Sequence, residues 1–325
     1  MRCFEFKFLL LLVLAFFLFQ SQEGGGCGGG GQSSEESSEG SGAGGSSGGS
    51  GGEQVILPCT KYPLVLAHGI SGWKELAGYE YFFGVKDYLE GLGCKVFVTQ
   101  VDAFNTIDVR GNQLADQITK IIIEGGFEKV NIIAHSMGGL DARYAITHRN
   151  LGDKVAALVT IATPHQGTVI ADVAVGLMEI TNTDEIVDFV LSLAGCVIDS
   201  QDFKECKQSA LKAAEQLTTK YIRETFNPTT PNALTVTYLS YTGKTGLGTK
   251  DIVDPLLLAP HLVISLLEGA NDGLLSVESS KWGEFLGTVD ADHLDEIGQL
   301  AGITGLFNHY KFYEGIAMTL KNRGF

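Results

Sequence analysis

Positive charge is scarce in this chain. Lysine and arginine number 23 against 38 aspartates and glutamates, a net charge of −15 over 325 residues. No basic run and no nucleic-acid-binding motif occurs, which argues against nucleic acid as a partner. Glycine is abundant at 42 residues, yet none of it is arranged as a dinucleotide fingerprint. No cysteine–histidine cluster has zinc-ligand spacing either, so the motifs imply neither an organic cofactor nor zinc. Internal repeats are lacking, which sets aside solenoids and propellers. Apolar runs are short: Phe8–Phe19 has twelve residues, fewer than the roughly 20 that a membrane-crossing helix needs.

Arg2 and Lys7 precede that short run. A charged start followed by a short apolar core has the form of a signal peptide. Residues 1–22 are read as that signal and the protein as exported. Residues 23–60 are mostly Gly, Ser and Glu. They hold too little apolar surface to offset the entropy of ordering, which predicts a flexible linker. Cys27 lies within it, in GGGCGGGG. A cysteine just past an apolar run and ahead of a Gly/Ser tether resembles a bacterial lipoprotein, which implies a membrane tether through Cys27. Gly24 stands where the usual lipoprotein signal has an apolar residue, and free secretion is the alternative. Residues 61–325 suffice for one large α/β domain.

That domain turns on Val130–Leu140, VNIIAHSMGGL. Val130, Ile132 and Ile133 suit a buried parallel strand. Ala134-His135-Ser136-Met137-Gly138 then has the form small-x-Ser-x-Gly, a nucleophile elbow with alanine in the first glycine position. The turn is sharp and lifts the serine oxygen above the sheet. Residues two positions either side must be small, because side chains there would strike the adjoining backbone. The following helix aims free N–H groups at developing negative charge.

Leu64–Ala67 reads as another strand, ended by His68-Gly69. A strand followed by His-Gly and an apolar residue is a usual source of an oxyanion-hole donor. That assigns one backbone N–H to Ile70 and the other to Met137, the residue after the serine. His68 is read as structural. Val96–Val98, Val155–Ile161 and Val236–Tyr241 are further strands, and Asn112–Ile123 has apolar positions at helical spacing. Alternation of strand and helix predicts a mostly parallel sheet with helices on both faces. Asp272 opens a loop at the turn signal Asn271-Asp272-Gly273, and His293 follows 21 residues later. The order Ser136, Asp272, His293 suits a catalytic triad, with Asp254 a rival for the acid. His309 sits in a stretch that suits a packed terminal helix and is read as structural.

TKYPLVLAHG, the VRGNQLADQI region, NIIAHSMGG, ATPHQG, ANDGL and HLDEIGQ occur in that order. Together they resemble the secreted true lipases of Pseudomonas, Burkholderia and Proteus type, over nearly all of Lys61–Phe325. The resemblance implies the α/β-hydrolase fold with a helical lid, and triacylglycerol ester hydrolysis at an oil–water interface. A carboxylesterase for shorter or soluble esters is the alternative. The resemblance also implies calcium, with Asp254 and Asp295 matching the carboxylate ligands and Gln299 and Ile303 matching the carbonyl donors. A dedicated folding chaperone serves some relatives and is left open here. Residues about 168–230 would hold the lid. Within them Asp184–Ile198 is more apolar than one core-facing stripe requires, so Phe189 and Leu193 lie either in a buried helix or on a lid over the acyl pocket. Cys196 and Cys206, ten residues apart, are spaced for a local disulfide. Cys59 and Cys94 show no obvious partners.

Overall fold

The computed structural model describes residues 59–325 apart from 71, 73, 74, 77, 78, 182–202, 247, 251 and 300. The expected signal peptide, linker and Cys27 lie outside the described residues, as do Phe189, Leu193 and the Cys196–Cys206 pairing. The chain divides into Met1–Ile56 and Leu57–Phe325, and everything below concerns the second unit.

In chain order its elements are β1 (Leu64–Ala67), β2 (Glu75–Leu76), β3 (Tyr79–Glu80), α1 (Val85–Gly91), β4 (Val96–Val98), α2 (Ile107–Gly125), β5 (Val130–His135), α3 (Gly138–His148), β6 (Val155–Ile161), α4 (Val169–Thr181), α5 (Phe203–Leu217), β7 (Thr237–Lys244), α6 (Leu258–Leu267), β8 (Glu284–Asp290) and α7 (His309–Asn322). Six strands form one sheet in the order β4-β1-β5-β6-β7-β8. Each neighbouring pair runs parallel, while β2 and β3 form a separate antiparallel pair.

The central strands β1, β5 and β6 are buried at every position, as a sheet covered on both faces requires. Side chains alternate between two cores. Leu64, Leu66, Ile133 and Val159 pack with Val85 and Leu89 of α1 and with Tyr313, Ile316 and Leu320 of α7. Val65, Ala67, Ile132 and Leu158 pack on the opposite face with Leu114, Ile118 and Ile122 of α2 and Ala142 and Ile146 of α3. This is the α/β-hydrolase architecture that the motifs imply.

Three departures from expectation have physical causes. Helix α2 starts at Ile107 rather than near Asn112, and its buried face includes Arg110. A buried arginine interrupts an apolar stripe and hides the first turn from a periodicity argument. Strand β8 is an edge strand, half-buried along most of its length, and lacks the apolar run that marks the central strands. Cys59 and Cys94, which show no obvious partners in the sequence, form a disulfide with Cα atoms 4.7 Å apart. They precede β1 and β4, which are parallel neighbours in register Leu64↔Val96, so the same end of both strands brings the two sulfurs together.

The start of α4 and the end of α5 are held together at one base. Thr168 N–H donates to Leu217 O at 2.9 Å, and the Asp172 carboxylate accepts from Thr219 N–H at 2.8 Å and Thr219 Oγ1 at 2.7 Å. Thr168 Oγ1 in turn donates to Leu274 O at 2.8 Å, which fastens that base to the Asp272 loop.

Candidate active site

Ser136 follows β5 with φ of 55°, a left-handed conformation rarely tolerated by a side-chain-bearing residue and characteristic of strain held at a functional site. The surrounding structure enforces it. Ser136 N–H donates to Ile161 O at 2.9 Å, and Ser136 O accepts from Gly139 N–H at 3.1 Å and from Thr163 Oγ1 at 2.8 Å. The small residues are steric necessities. A Cβ on Gly138 would lie 2.6 Å from both Ala67 O and His68 O, and one on Gly139 would lie 2.2 Å from Thr163 Oγ1. Helix α3 can therefore start hard against β1 and β6 only with glycine at both positions.

Asp272 and His293 meet beside this turn, at the carboxyl ends of the strands where open α/β sheets bind ligands. His293 Nδ1 lies 2.8 Å from Asp272 Oδ2, and His293 N–H donates to Asp272 O at 2.8 Å. The other carboxylate oxygen accepts from Leu274 N–H at 2.9 Å and Leu275 N–H at 2.7 Å. Those bonds fix the carboxylate so that Oδ2 faces the imidazole. Asn271 braces the loop from behind, donating to Gly269 O at 2.9 Å and Ser265 Oγ at 3.0 Å while accepting from Gly273 N–H at 2.9 Å. Asp254, the rival acid, is engaged elsewhere: its Oδ1 accepts from Leu256 N–H at 2.8 Å, capping a short helical turn at Pro255–Leu257.

Neither Ile70 N–H nor Met137 N–H donates to a protein acceptor among the described residues. The loop that carries Ile70 is held by its carbonyls. Arg110 Nη2 donates to His68 O at 3.1 Å and Gly69 O at 3.0 Å, and its Nε donates to Asp141 Oδ2 on α3 at 2.9 Å. Burial pushes the Asp141 carboxyl up to about 6, against the downward pull of the guanidinium. His68 is structural as read. Its Nε2 accepts from Val101 N–H at 3.1 Å, leaving the proton on Nδ1 for Gly69 O at 2.9 Å. Burial, and secondly the charge of Arg110, lowers its pKa to about 4. On the terminal helix, His309 Nε2 lies 3.0 Å from Phe83 O in the turn before α1, also a structural role.

Two buried groups behind the triad carried no separate signal in the sequence. His135 Nε2 lies 3.1 Å from Glu296 Oε2, and that oxygen is 3.9 Å from His293 Nδ1. Burial, then the charge of Asp272, raises the Glu296 pKa well above the usual carboxylate range. Burial likewise drives that of His135 down. A protonated acid thus faces a neutral imidazole. His135, His293 and Glu296 place three ligand-type atoms within 4.8 Å of one another, but His135 Nε2 is already paired with Glu296 Oε2 and His293 Nδ1 with Asp272 Oδ2, so this cluster suits a proton network rather than a cation.

Asp254 and Asp295 are linked through Asp292. The Asp292 carboxylate accepts from Asp254 N–H at 2.8 Å, Leu294 N–H at 2.9 Å and Asp295 N–H at 3.0 Å. Burial, offset by these bonds, leaves its pKa raised. Among the described residues neither Gln299 O nor Ile303 O accepts a backbone hydrogen bond outside regular elements. Carboxylates and carbonyls are hard oxygen donors, the chemistry that suits Ca²⁺.

Fold and site define a serine ester hydrolase of the α/β-hydrolase class. Sequence comparison then gives the family. A PGAP1-like alpha/beta domain matches residues 109–185. Triacylglycerol lipase 2 of Saccharomyces cerevisiae is 36% identical over 233 residues, 69% of this chain, and the chain spans 64% of that protein's length. A triacylglycerol lipase of Vibrio cholerae is 32% identical over 283 residues, covering 82% of this chain and 89% of the relative. Among solved structures, the mature form of lipase BlEst2 from Bacillus licheniformis superposes with a TM-score of 0.59 at 20% identity, over 79% of this chain and 92% of that one. The chain belongs to the triacylglycerol lipase family of which the Vibrio protein is a member.

Proposed function

We propose that this chain hydrolyses triacylglycerols through an acyl-enzyme on Ser136. The observation that carries the reading is the pairing of His293 with Asp272 at 2.8 Å beside a serine held at positive φ. Ser136 Oγ attacks the ester carbonyl as His293 takes its proton. The imidazolium is steadied by Asp272 and returns the proton to the leaving alcohol. The N–H groups of Ile70 and Met137 receive the tetrahedral oxyanion, an effect worth about 3 kcal/mol per donor. Water then repeats the cycle on the acyl-enzyme.

A specific surface favours lipid over soluble ester. Leu258, Leu262 and Leu266 of α6 form a row at four-residue spacing and are 41, 54 and 71% exposed. No charged residue occurs from Pro255 to Leu267. The helix is tied to the triad loop, because Asn271 Nδ2 donates to Ser265 Oγ at 3.0 Å and His261 O at 3.3 Å. Burial of such side chains in a lipid surface is worth roughly 1.5–3 kcal/mol each. Turnover of emulsified triolein should exceed that of a soluble nitrophenyl ester. Changing the three leucines together to serine should cut the triolein rate at least about tenfold, by the loss of that burial, with soluble-ester turnover within about twofold. A chain that prefers the soluble ester, with no response in the triple variant, would be the carboxylesterase instead. The apolar stretch carrying Phe189 and Leu193, outside the described residues, remains our candidate for a lid.

Calcium is proposed to be held by Asp254, Asp295 and the carbonyls of Gln299 and Ile303. When bound, it would supply positive charge to fasten the loop that carries His293, with no chemical step of its own. Exhaustive EDTA treatment should lower the melting temperature and the activity together, and added Ca²⁺ should restore both. If neither changes, the site is not a calcium site.

Export is proposed from the charged and apolar start of the chain, and the Cys59–Cys94 disulfide supports an oxidising destination. A lipid on Cys27 would tether the domain to a membrane. Cys27→Ser should then shift the protein from the membrane fraction to the soluble one, and identical fractionation would reject the tether.

A further inference from the structure

We infer that the Tyr81 hydroxyl is a positioning group that sets the spacing of the oxyanion hole. The inference rests on Ser136 acting as nucleophile. The two oxyanion donors come from separate pieces of chain, Ile70 after β1 and Met137 after β5. One oxygen joins the two pieces. Gly69 N–H donates to Tyr81 Oη at 3.1 Å, and Tyr81 Oη lies 2.7 Å from His135 Nδ1, one residue before the nucleophile. The hydroxyl accepts the first bond, and it can donate or accept in the second according to the His135 tautomer, so both can be made at once.

The consequence for Ile70 follows from peptide planarity. In the His68–Gly69 peptide, the carbonyl is held by Arg110 at 3.1 Å and the N–H by Tyr81. In the next peptide, the Gly69 carbonyl is held by Arg110 at 3.0 Å and by His68 Nδ1 at 2.9 Å. The remaining corner of that second plane is Ile70 N–H, whose direction is thereby fixed. Without Tyr81 Oη the first plane loses one of its two anchors, and the loop can rotate about the other.

Tyr81 is itself braced from a third direction. Its ring packs edge-on against Phe82 with centroids 5.1 Å apart, and its carbonyl accepts from Gln299 Nε2 at 3.0 Å. The fit at Gly69 is close on both sides. A Cβ there would lie 2.7 Å from Ser136 Cβ and 2.9 Å from Tyr81 Oη, so the loop sits wedged between nucleophile and hydroxyl. Oxyanion stabilisation depends on donors already aimed at the charge that develops, and a loop free to turn gives up part of that effect.

The test is Tyr81→Phe, which removes a single oxygen. On a soluble nitrophenyl ester, kcat should fall about 10- to 100-fold, up to the loss typical of a whole oxyanion donor, with KM within about twofold. The inhibition constant of an alkyl boronic acid, which forms a tetrahedral anion on the serine, should rise by a similar factor. The fall should be equal across esters that share an acyl group and differ in alcohol. An unchanged kcat overturns the inference, as does a rise in KM alone. A loss that follows the alcohol would instead mean that Tyr81 touches substrate, and a loss matched by missing folded protein would make its role structural. Ser136→Ala is assayed alongside. Activity surviving in that variant would defeat the nucleophile assignment itself, whatever Tyr81→Phe shows.

Discussion

Ser136→Ala is expected to lower kcat roughly 10⁶-fold, the scale seen when a triad nucleophile is removed, while the protein stays folded. The turn does not depend on the hydroxyl. Its hydrogen bonds run through Ser136 N–H to Ile161 O and from Thr163 Oγ1 to Ser136 O, and both are backbone groups of residue 136. Alanine at a φ of 55° bears the same backbone strain as serine, so the melting temperature should move little. The measurement is nitrophenyl ester turnover on purified variant, together with a thermal melt. A kcat within tenfold of wild type would remove Ser136 from the mechanism. A large drop in melting temperature would show that the hydroxyl supports the turn as well.

The elbow was legible because its constraints are local. Gly138 and Gly139 face backbone and side-chain atoms closer than 3 Å from any added Cβ, so small residues around a serine record a steric fact within a few positions. The central strands were legible for a similar reason, since burial on both faces demands an unbroken apolar run. What stayed hidden depends on strand order and on contacts across long sequence separations. Cys59 and Cys94 pair only because β4 lies beside β1, and nothing within either segment records that adjacency. Arg110 reaches Asp141 over a separation of 31 residues, and His135 reaches Glu296 over 161. In sequence each reads as an isolated polar residue. Asp254 and Asp272 both open loops, and spacing alone left them as rivals. The structure separates them by what faces each carboxylate, a helical cap in one case and an imidazole in the other.

Asp272→Asn should lower kcat by up to about 10⁴-fold at neutral pH, the loss expected when the histidine partner is changed to an amide. An asparagine amide facing Nδ1 favours the tautomer that leaves Nε2 protonated, and Nε2 must be free to take the serine proton. The loop should survive, because an asparagine oxygen can still accept from Leu274 N–H and Leu275 N–H, as Oδ1 does now at 2.9 and 2.7 Å. Glu296 gives the variant a distinctive pH dependence. Its Oε2 is 3.9 Å from His293 Nδ1, but with Asp272 present it holds its proton, burial being the larger cause and the Asp272 charge the second. Removing that charge lowers the Glu296 pKa. As pH rises through the lowered value, the acid ionises and can steady the imidazolium in place of Asp272. Residual activity in Asp272→Asn should therefore climb with pH beyond the wild-type profile, and the climb should vanish in Asp272→Asn with Glu296→Gln. If Asp272→Asn keeps activity within tenfold of wild type, and the added Glu296→Gln changes nothing, then Asp272 is not the acid that serves His293.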